Sequence, residues 1–189
     1  MRTDILISEF FEDPVFETDR LFVGRWHLDL ADQAIAIYGD PEVTKWIGGV
    51  CEETIDSMQR RIDSLIARNS KWPAQWGSWP VFTKESRNLV GTMLMKPLPD
   101  AEGNFTPDIE IGWHLGRAYW GQGFATEGGR RMIEIAFKDL GVGELSAVTG
   151  IDNVRSQSVA LRLGMVHVGQ TDAYYGQTLE LFKIRNKEL

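Results

Sequence analysis

The sequence predicts an α+β domain: a central mixed, mostly antiparallel sheet with helices on both faces. Three observations predict it. Runs with strand character come first, and the order then becomes helix, strand, helix, strand. An extended run, Ile109 to Leu115, leads through a glycine-rich turn into a helical run, Glu127 to Leu140. A chain of 189 residues, 43% hydrophobic and 25% charged, suffices for one ordinary domain with a real core.

The elements follow in order. Residues 1–16 carry no periodic pattern and read as an N-terminal extension; the domain proper runs from 17 to 189. Ile5, Leu6, Ile7, Phe10 and Phe11 are too apolar for a purely disordered tail. They would pack on the domain or on a second chain, so a homodimer is allowed for. Arg20 to Trp26 reads as a strand and Leu28 to Tyr38 as a helix, with Ala31, Ala34, Ile35 and Tyr38 on one face. Asp40-Pro41 is an N-cap followed by proline at the first helical position, and that short helix ends at Gly48-Gly49. Thr54 to Arg68 is amphipathic, with Ile55, Met58, Ile62, Leu65 and Ile66 at helical spacing.

Lys71 to Pro80 holds three tryptophans and two prolines and cannot be a regular helix. It reads either as a wall of the acceptor site or as a loop whose rings cap the core. Val81–Thr83 and Leu89–Lys96 read as neighbouring strands, and Pro97 to Pro107 as a polar loop. After the long helix come a strand at Leu145–Gly150 and a helix at Asn153–Leu163 ended by Gly164. Met165–Gln170 and Thr178–Ile184 are the last strands, joined by a loop holding Tyr174 and Tyr175.

Composition excludes several functions. No run approaches the roughly 18 apolar residues of a membrane span. The acidic N-terminus lacks the apolar core of a signal peptide, so the expected location is the cytoplasm. Cys51 is the only cysteine, and His27, His114 and His167 are scattered, so neither a disulfide nor a metal site is expected. A net charge of −7 argues against a nucleic-acid surface and would draw in cationic amines. Arg117, Arg130, Arg131 and Arg155 flank the ligand motifs, so the site itself can be positive.

Strand, glycine turn, helix makes an anion site, because the first N–H groups of a helix have no partner inside it. Here the turn is Trp120-Gly121-Gln122-Gly123-Phe124-Ala125-Thr126-Glu127. A Walker loop would need Gly-Lys-Ser/Thr, and no lysine lies between Lys96 and Lys138. A dinucleotide turn would need a third glycine where Thr126 stands and an acidic residue about 20 positions on. Asp139 is misplaced for that role and Asp152 comes too late.

The remaining reading is acyl-coenzyme A. Gln122-Gly123-Phe124-Ala125 resembles the end of the pyrophosphate loop of the GNAT superfamily of N-acetyltransferases, with Trp120 in place of the loop's first polar residue. The longer string from Glu110 through Trp113-His114-Leu115 to Glu127 is similar to the branch of the ribosomal-protein alanine and serine N-acetyltransferases. So are Asn153-Val-Arg-Ser156 with Leu163-Gly164-Met165, and the opening Glu17-Thr-Asp-Arg-Leu21 with Asp40-Pro-Glu-Val43. These motifs stand in family order from about Glu17 to about Gly169. The resemblance implies a fold in which two central strands splay apart and acetyl-CoA, the cosubstrate, lies in the gap.

Acetyl transfer from a thioester to an amine requires a held coenzyme, a neutral amine, a stabilised oxyanion and a proton for the leaving thiolate. Backbone amides of Gln122, Gly123, Phe124, Ala125 and Thr126 would hold the pyrophosphate, with the Thr126 hydroxyl beside them. By resemblance, Trp113, His114 and Leu115 would bond the pantetheine arm as an added strand, and Asn153 would hold the same arm, its other reading being a helix N-cap. Strand alternation sets Glu110, Gly112 and His114 on one face, which makes Glu110 the candidate base, with His114 behind it; the competing reading of Glu110 is a structural ion pair. Ser156 is the candidate acid and a further coenzyme contact, with capping as its plainer reading; Tyr174 and Tyr175 rank behind it. Gly128 and Gly129 in the first turns of the helix imply close approach of backbone to cofactor or to a neighbouring strand.

The acceptor is expected to be a primary amine, either a protein N-terminal α-amine or a small molecule. A free α-amine of pKa about 7.7–8.0 costs roughly 1 kcal/mol to neutralise at pH 7, against about 4.6 kcal/mol for lysine. A single carboxylate suits the former. A coenzyme-binding or sensing module without catalysis is the alternative, and substitution of Glu110 and Ser156 separates the two: an enzyme loses turnover while still binding coenzyme.

Overall fold

The computed structural model describes residues 13–187. The apolar residues between Ile5 and Phe11 therefore lie outside the described part of the chain. The chain divides into two compact units, Met1–Met93 with Trp113–Phe124, and Leu94–Gly112 with Ala125–Leu189.

In the first unit, strands β1 (Phe16–Glu17) and β2 (Leu21–Val23) precede a 3-10 turn at Leu28–Leu30 and helices α1 (Ala31–Tyr38), α2 (Pro41–Thr44) and α3 (Ile55–Asn69); strand β3 (Gly77–Thr83) follows. The start signal at Asp40 works as read, and the structure adds a second at Thr54. The Asp40 carboxylate accepts the Glu42 amide at 2.9 Å, and Thr54 and Ser57 form a reciprocal capping box at the head of α3. Phe22, Trp26, Ile37, Tyr38, Met58, Ile62 and Phe82 share one apolar cluster.

Three expectations are corrected here. The strand read at Arg20–Trp26 contracts to Leu21–Val23, and the helix read from Leu28 opens as a 3-10 turn. On α1, Ile35 packs partly buried against the cluster that holds Ala31, Ala34 and Tyr38, as expected, and Ile37 is buried there too. The tryptophan stretch is not one loop: Trp79 lies inside β3, 2% exposed and edge-on to Phe16 at 6.5 Å. Its ring is core, whereas Trp72 and Trp76 are half-buried in the turn before the strand.

Strands β4 (Leu89–Pro99) and β5 (Phe105–Leu115) each contribute to both units. Within the first, β4 runs so close to the end of β5 that a Cβ on Gly91 would stand 2.0 Å from the His114 carbonyl oxygen. Gly116 donates its amide to Val90 O at 2.9 Å just beyond. Gly91→Ala is expected to cost about 3 kcal/mol, the top of the usual overpacking range, because the clash is with backbone that cannot rotate away. A shift in the urea unfolding midpoint measures it; an unshifted midpoint contradicts this contact.

In the second unit, the loop expected over Pro97–Pro107 shrinks to residues 100–104, because the Asp100 carboxylate takes the amides of Glu102 (3.0 Å) and Asn104 (2.8 Å) and closes a tight turn. Helix α4 (Phe124–Glu134) opens three residues before the expected Glu127 and continues as a π-helical turn at Ile135–Asp139. Strand β6 (Glu144–Thr149), helix α5 (Val154–Arg162) and strands β7 (Val166–Thr171) and β8 (Leu179–Arg185) complete the chain. A Cβ on Gly129 would meet Leu163 Cδ1 at 2.7 Å. The close neighbour of that glycine is thus the side chain ending α5, not a strand.

The eight strands join in one sheet in the order β1-β2-β3-β4-β5-β6-β8-β7. β6 pairs with β8 antiparallel from Glu144↔Arg185 to Thr149↔Glu180. β5 and β6 run parallel, with Glu110 opposite Ser146.

Candidate active site

The glycine turn is held by its own neighbours. Gly121 and Gly123 adopt left-handed φ values of +75° and +83°, a conformation that glycine enters without steric cost. Trp120 donates its indole N–H to Leu115 O at 2.7 Å and packs on the first unit's apolar cluster. The tryptophan standing in for a polar loop residue is therefore an anchor. The Gln122 side chain donates to Ala118 O at 2.8 Å. Gln122 and Gly123 are exposed, and Phe124 and Ala125 are buried as α4 begins. Gly121 has no described atom within 4 Å of where a Cβ would stand. A glycine turn running straight into a helix start, where the first amides have no acceptor inside the helix, fits a pyrophosphate.

Thr126 is half-buried, and its hydroxyl accepts from Arg162 Nε at 3.3 Å. Two of the arginines expected to make the site positive are already paired with carboxylates, Arg117 with Asp40 (3.1 Å) and Arg131 with Glu134 (3.2 Å). Arg20 lies against the turn instead, donating to Gln122 O at 3.0 Å.

On β5, Ile111 and Leu115 are buried, and Gly112, Trp113 and His114 are half-buried. The Trp113 indole nitrogen has no hydrogen-bond partner among the described residues. Glu110 is 6% exposed. Its Oε2 accepts from Lys96 Nζ at 2.9 Å and from the Tyr175 hydroxyl at 2.5 Å, and Lys96 also donates to that hydroxyl at 2.6 Å. The ion-pair reading of Glu110 is thus met, and the pair is buried, with the side chains 12% and 8% exposed.

Lys96 escaped the sequence reading. Its one signal was a lysine ending an otherwise apolar strand, Leu89 to Met95. Tyr175 holds a left-handed φ of +58°, uncommon for a non-glycine residue, which turns its ring toward the pair. The preceding Tyr174 donates to Asp108 Oδ2 at 2.7 Å. Consecutive tyrosines from the β7–β8 loop thus bond alternate carboxylates of β5, Asp108 and Glu110, as a period-two strand allows.

Burial, then the hydrogen bond to Asp108 and the charge of that carboxylate, push the Tyr174 hydroxyl up to about 12. The Tyr174 hydroxyl proton is thus engaged by Asp108. The sign for stability follows by linkage. The unfolded tyrosine loses its proton near pH 10 and the folded one near 12. Its stabilisation is full below pH 10 and is lost between about 10 and 12. Absorbance titration of the phenolate is expected to show one late tyrosine that Tyr174→Phe removes; a Tyr174→Phe protein with an unchanged titration curve contradicts the assignment.

At the head of α5, Asn153 Oδ1 accepts the Ser156 amide at 3.2 Å, the plain N-cap. Both residues are half-buried. Glu110 bonds Lys96 and Tyr175, whereas Ser156 bonds Asn153, so the two residues assigned to proton transfer belong to separate hydrogen-bond groups.

Comparison with known proteins bears on this geometry. The family model described as acetyltransferase (GNAT) domain matches residues 20–166. The protein named as the uncharacterized N-acetyltransferase YoaA of Bacillus subtilis is 26% identical over 165 residues, 87% of this chain and 89% of its own. The FsC-acetyl coenzyme A-N(2)-transacetylase of Aspergillus fumigatus is 32% identical over 132 residues, 68% of this chain and 55% of its own. Among solved structures, the ribosomal-protein-S5-alanine acetyltransferase of Vibrio fischeri superposes with a TM-score of 0.66 at 17% identity, over 92% of this chain and 97% of its own.

Proposed function

Because the chain belongs to the GNAT acetyltransferase family, and so is an acetyl-CoA-dependent enzyme, we propose that it acetylates a primary amine by direct attack on the thioester. The amine is a protein N-terminal α-amine or that of a small molecule. One relative is named for transfer to N(2) and one fold neighbour for a ribosomal-protein alanine, and both names favour this class.

The observation that carries the base assignment is the fixation of Glu110 through one oxygen. Lys96 and Tyr175 both bond Oε2, which leaves Oε1 to take the acceptor's proton, directly or through a water. Bound acetyl-CoA supplies the acetyl thioester. The amides of residues 122–126 bind its pyrophosphate, Trp113–Leu115 and Asn153 take its arm, and Ser156 returns a proton to the departing sulfur. Ser156→Ala is expected to lower kcat about 10²-fold or more, as for a lost general acid, with a much smaller loss of coenzyme affinity.

Mass spectrometry of an acceptor panel with acetyl-CoA tests the class. Peptides with free α-amines and small primary amines are expected to gain one acetyl group, and the same peptides blocked at the N-terminus are not. An enzyme that binds acetyl-CoA yet acetylates no primary amine would contradict the proposal.

A further inference from the structure

The segment Glu17-Thr-Asp-Arg-Leu21 has so far had no role. Its geometry is that of an arm aimed at the glycine turn. The link between β1 and β2 is closed by Thr18 N to Leu21 O (3.0 Å) and Leu21 N to Thr18 Oγ1 (2.9 Å). Leu21 is fully buried beside it, and Lys84 N bonds Arg20 O at 2.9 Å. The backbone of Arg20 is therefore fixed on both sides before its side chain begins.

That side chain makes three contacts with three consecutive residues of the turn. Nη1 donates to Gln122 O at 3.0 Å. Nη2 stands 3.3 Å from the place a Cβ would take on Gly123. The guanidinium carbon lies 4.7 Å from the centre of the Phe124 ring, a cation–π distance. The first contact has a consequence for the peptide that follows. A trans peptide is planar, with C=O and N–H on opposite sides. Holding the Gln122 carbonyl toward Arg20 therefore turns the Gly123 N–H away from it, and keeps a carbonyl dipole from facing an anion. The guanidinium also places a positive charge beside the turn.

We propose that Arg20 is the positioning residue of the coenzyme turn: it orients the Gln122–Gly123 peptide for the pyrophosphate and supplies positive charge to it. The inference rests on the coenzyme reading above and assigns a determinant of that same site.

The test compares acetyl-CoA with acetyl-pantetheine, which carries the thioester without any phosphate. Arg20→Gln is expected to raise the acetyl-CoA Kd and KM roughly 10- to 100-fold, the range for a lost charged hydrogen bond, with kcat little changed. Its kcat/KM for acetyl-pantetheine should match wild type, and the salt dependence of the acetyl-CoA KM should flatten. Arg20→Lys keeps the charge without the planar fork and should lose less, again on acetyl-CoA alone; it serves also if Arg20→Gln does not fold. Equal acetyl-CoA affinity in wild type and both variants overturns the role. Equal losses on both thioesters overturn it too, since they mean a merely structural arginine. Wild-type protein that binds no acetyl-CoA overturns the coenzyme reading itself, and this role with it.

Discussion

Glu110→Gln is expected to lower kcat about 10²- to 10⁴-fold, the usual contribution of a positioned general base, while the affinity for acetyl-CoA stays within about twofold. Glutamine is nearly isosteric and still offers an oxygen to Lys96 and Tyr175, whose bonds at 2.9 and 2.5 Å define the site. It cannot take a proton. The loss should shrink as pH rises and the acceptor amine deprotonates without help, so the deficit is expected to be smaller at pH 9 than at pH 7. Steady-state rates across that range measure it. A pH-independent deficit, or none, contradicts the base assignment.

Lys96→Met is expected to destabilise the protein by about 3–5 kcal/mol, the cost of leaving a buried charge unpaired. Glu110 is 6% exposed, and without the ammonium its carboxylate keeps only the Tyr175 hydroxyl among the partners described. Methionine fills a similar volume, so packing changes little. Adding Glu110→Gln to Lys96→Met should recover most of the loss, because no buried charge then remains. Urea unfolding of the wild type, both single variants and the double variant measures the coupling. A cost below about 1 kcal/mol, as exposed pairs give, would mean that the pair contributes little and that Glu110 is held by other means.

What the sequence made legible was local. The helix from Thr54 was legible from its apolar spacing alone. Asp40-Pro41 declared a helix start because capping acts over three or four residues, and that cap is present. The glycine turn was legible for the same reason, since left-handed φ and a helix start sit side by side at Gly123 and Phe124. Long-range contacts were not. Lys96 meets Glu110 across 14 residues, and Arg20 meets Gln122 across 102. No periodicity reports such pairings. Trp79 was misread as loop because Pro80 sits next to it; in β3 both are buried, and the proline's missing N–H did not exclude a strand. The loop over Pro97–Pro107 failed likewise, as prolines near strand ends hid a hairpin whose turn is set by the Asp100 carboxylate.

The most direct measurement is a calorimetric titration of the purified protein with acetyl-CoA, with NAD run beside it. Saturable binding of acetyl-CoA with a micromolar Kd and no response to NAD is the predicted result. Absence of acetyl-CoA binding, or equal binding of NAD, would contradict the coenzyme assignment of the turn from Gly121 to Thr126 and the roles of Arg20, Glu110 and Ser156 built on it.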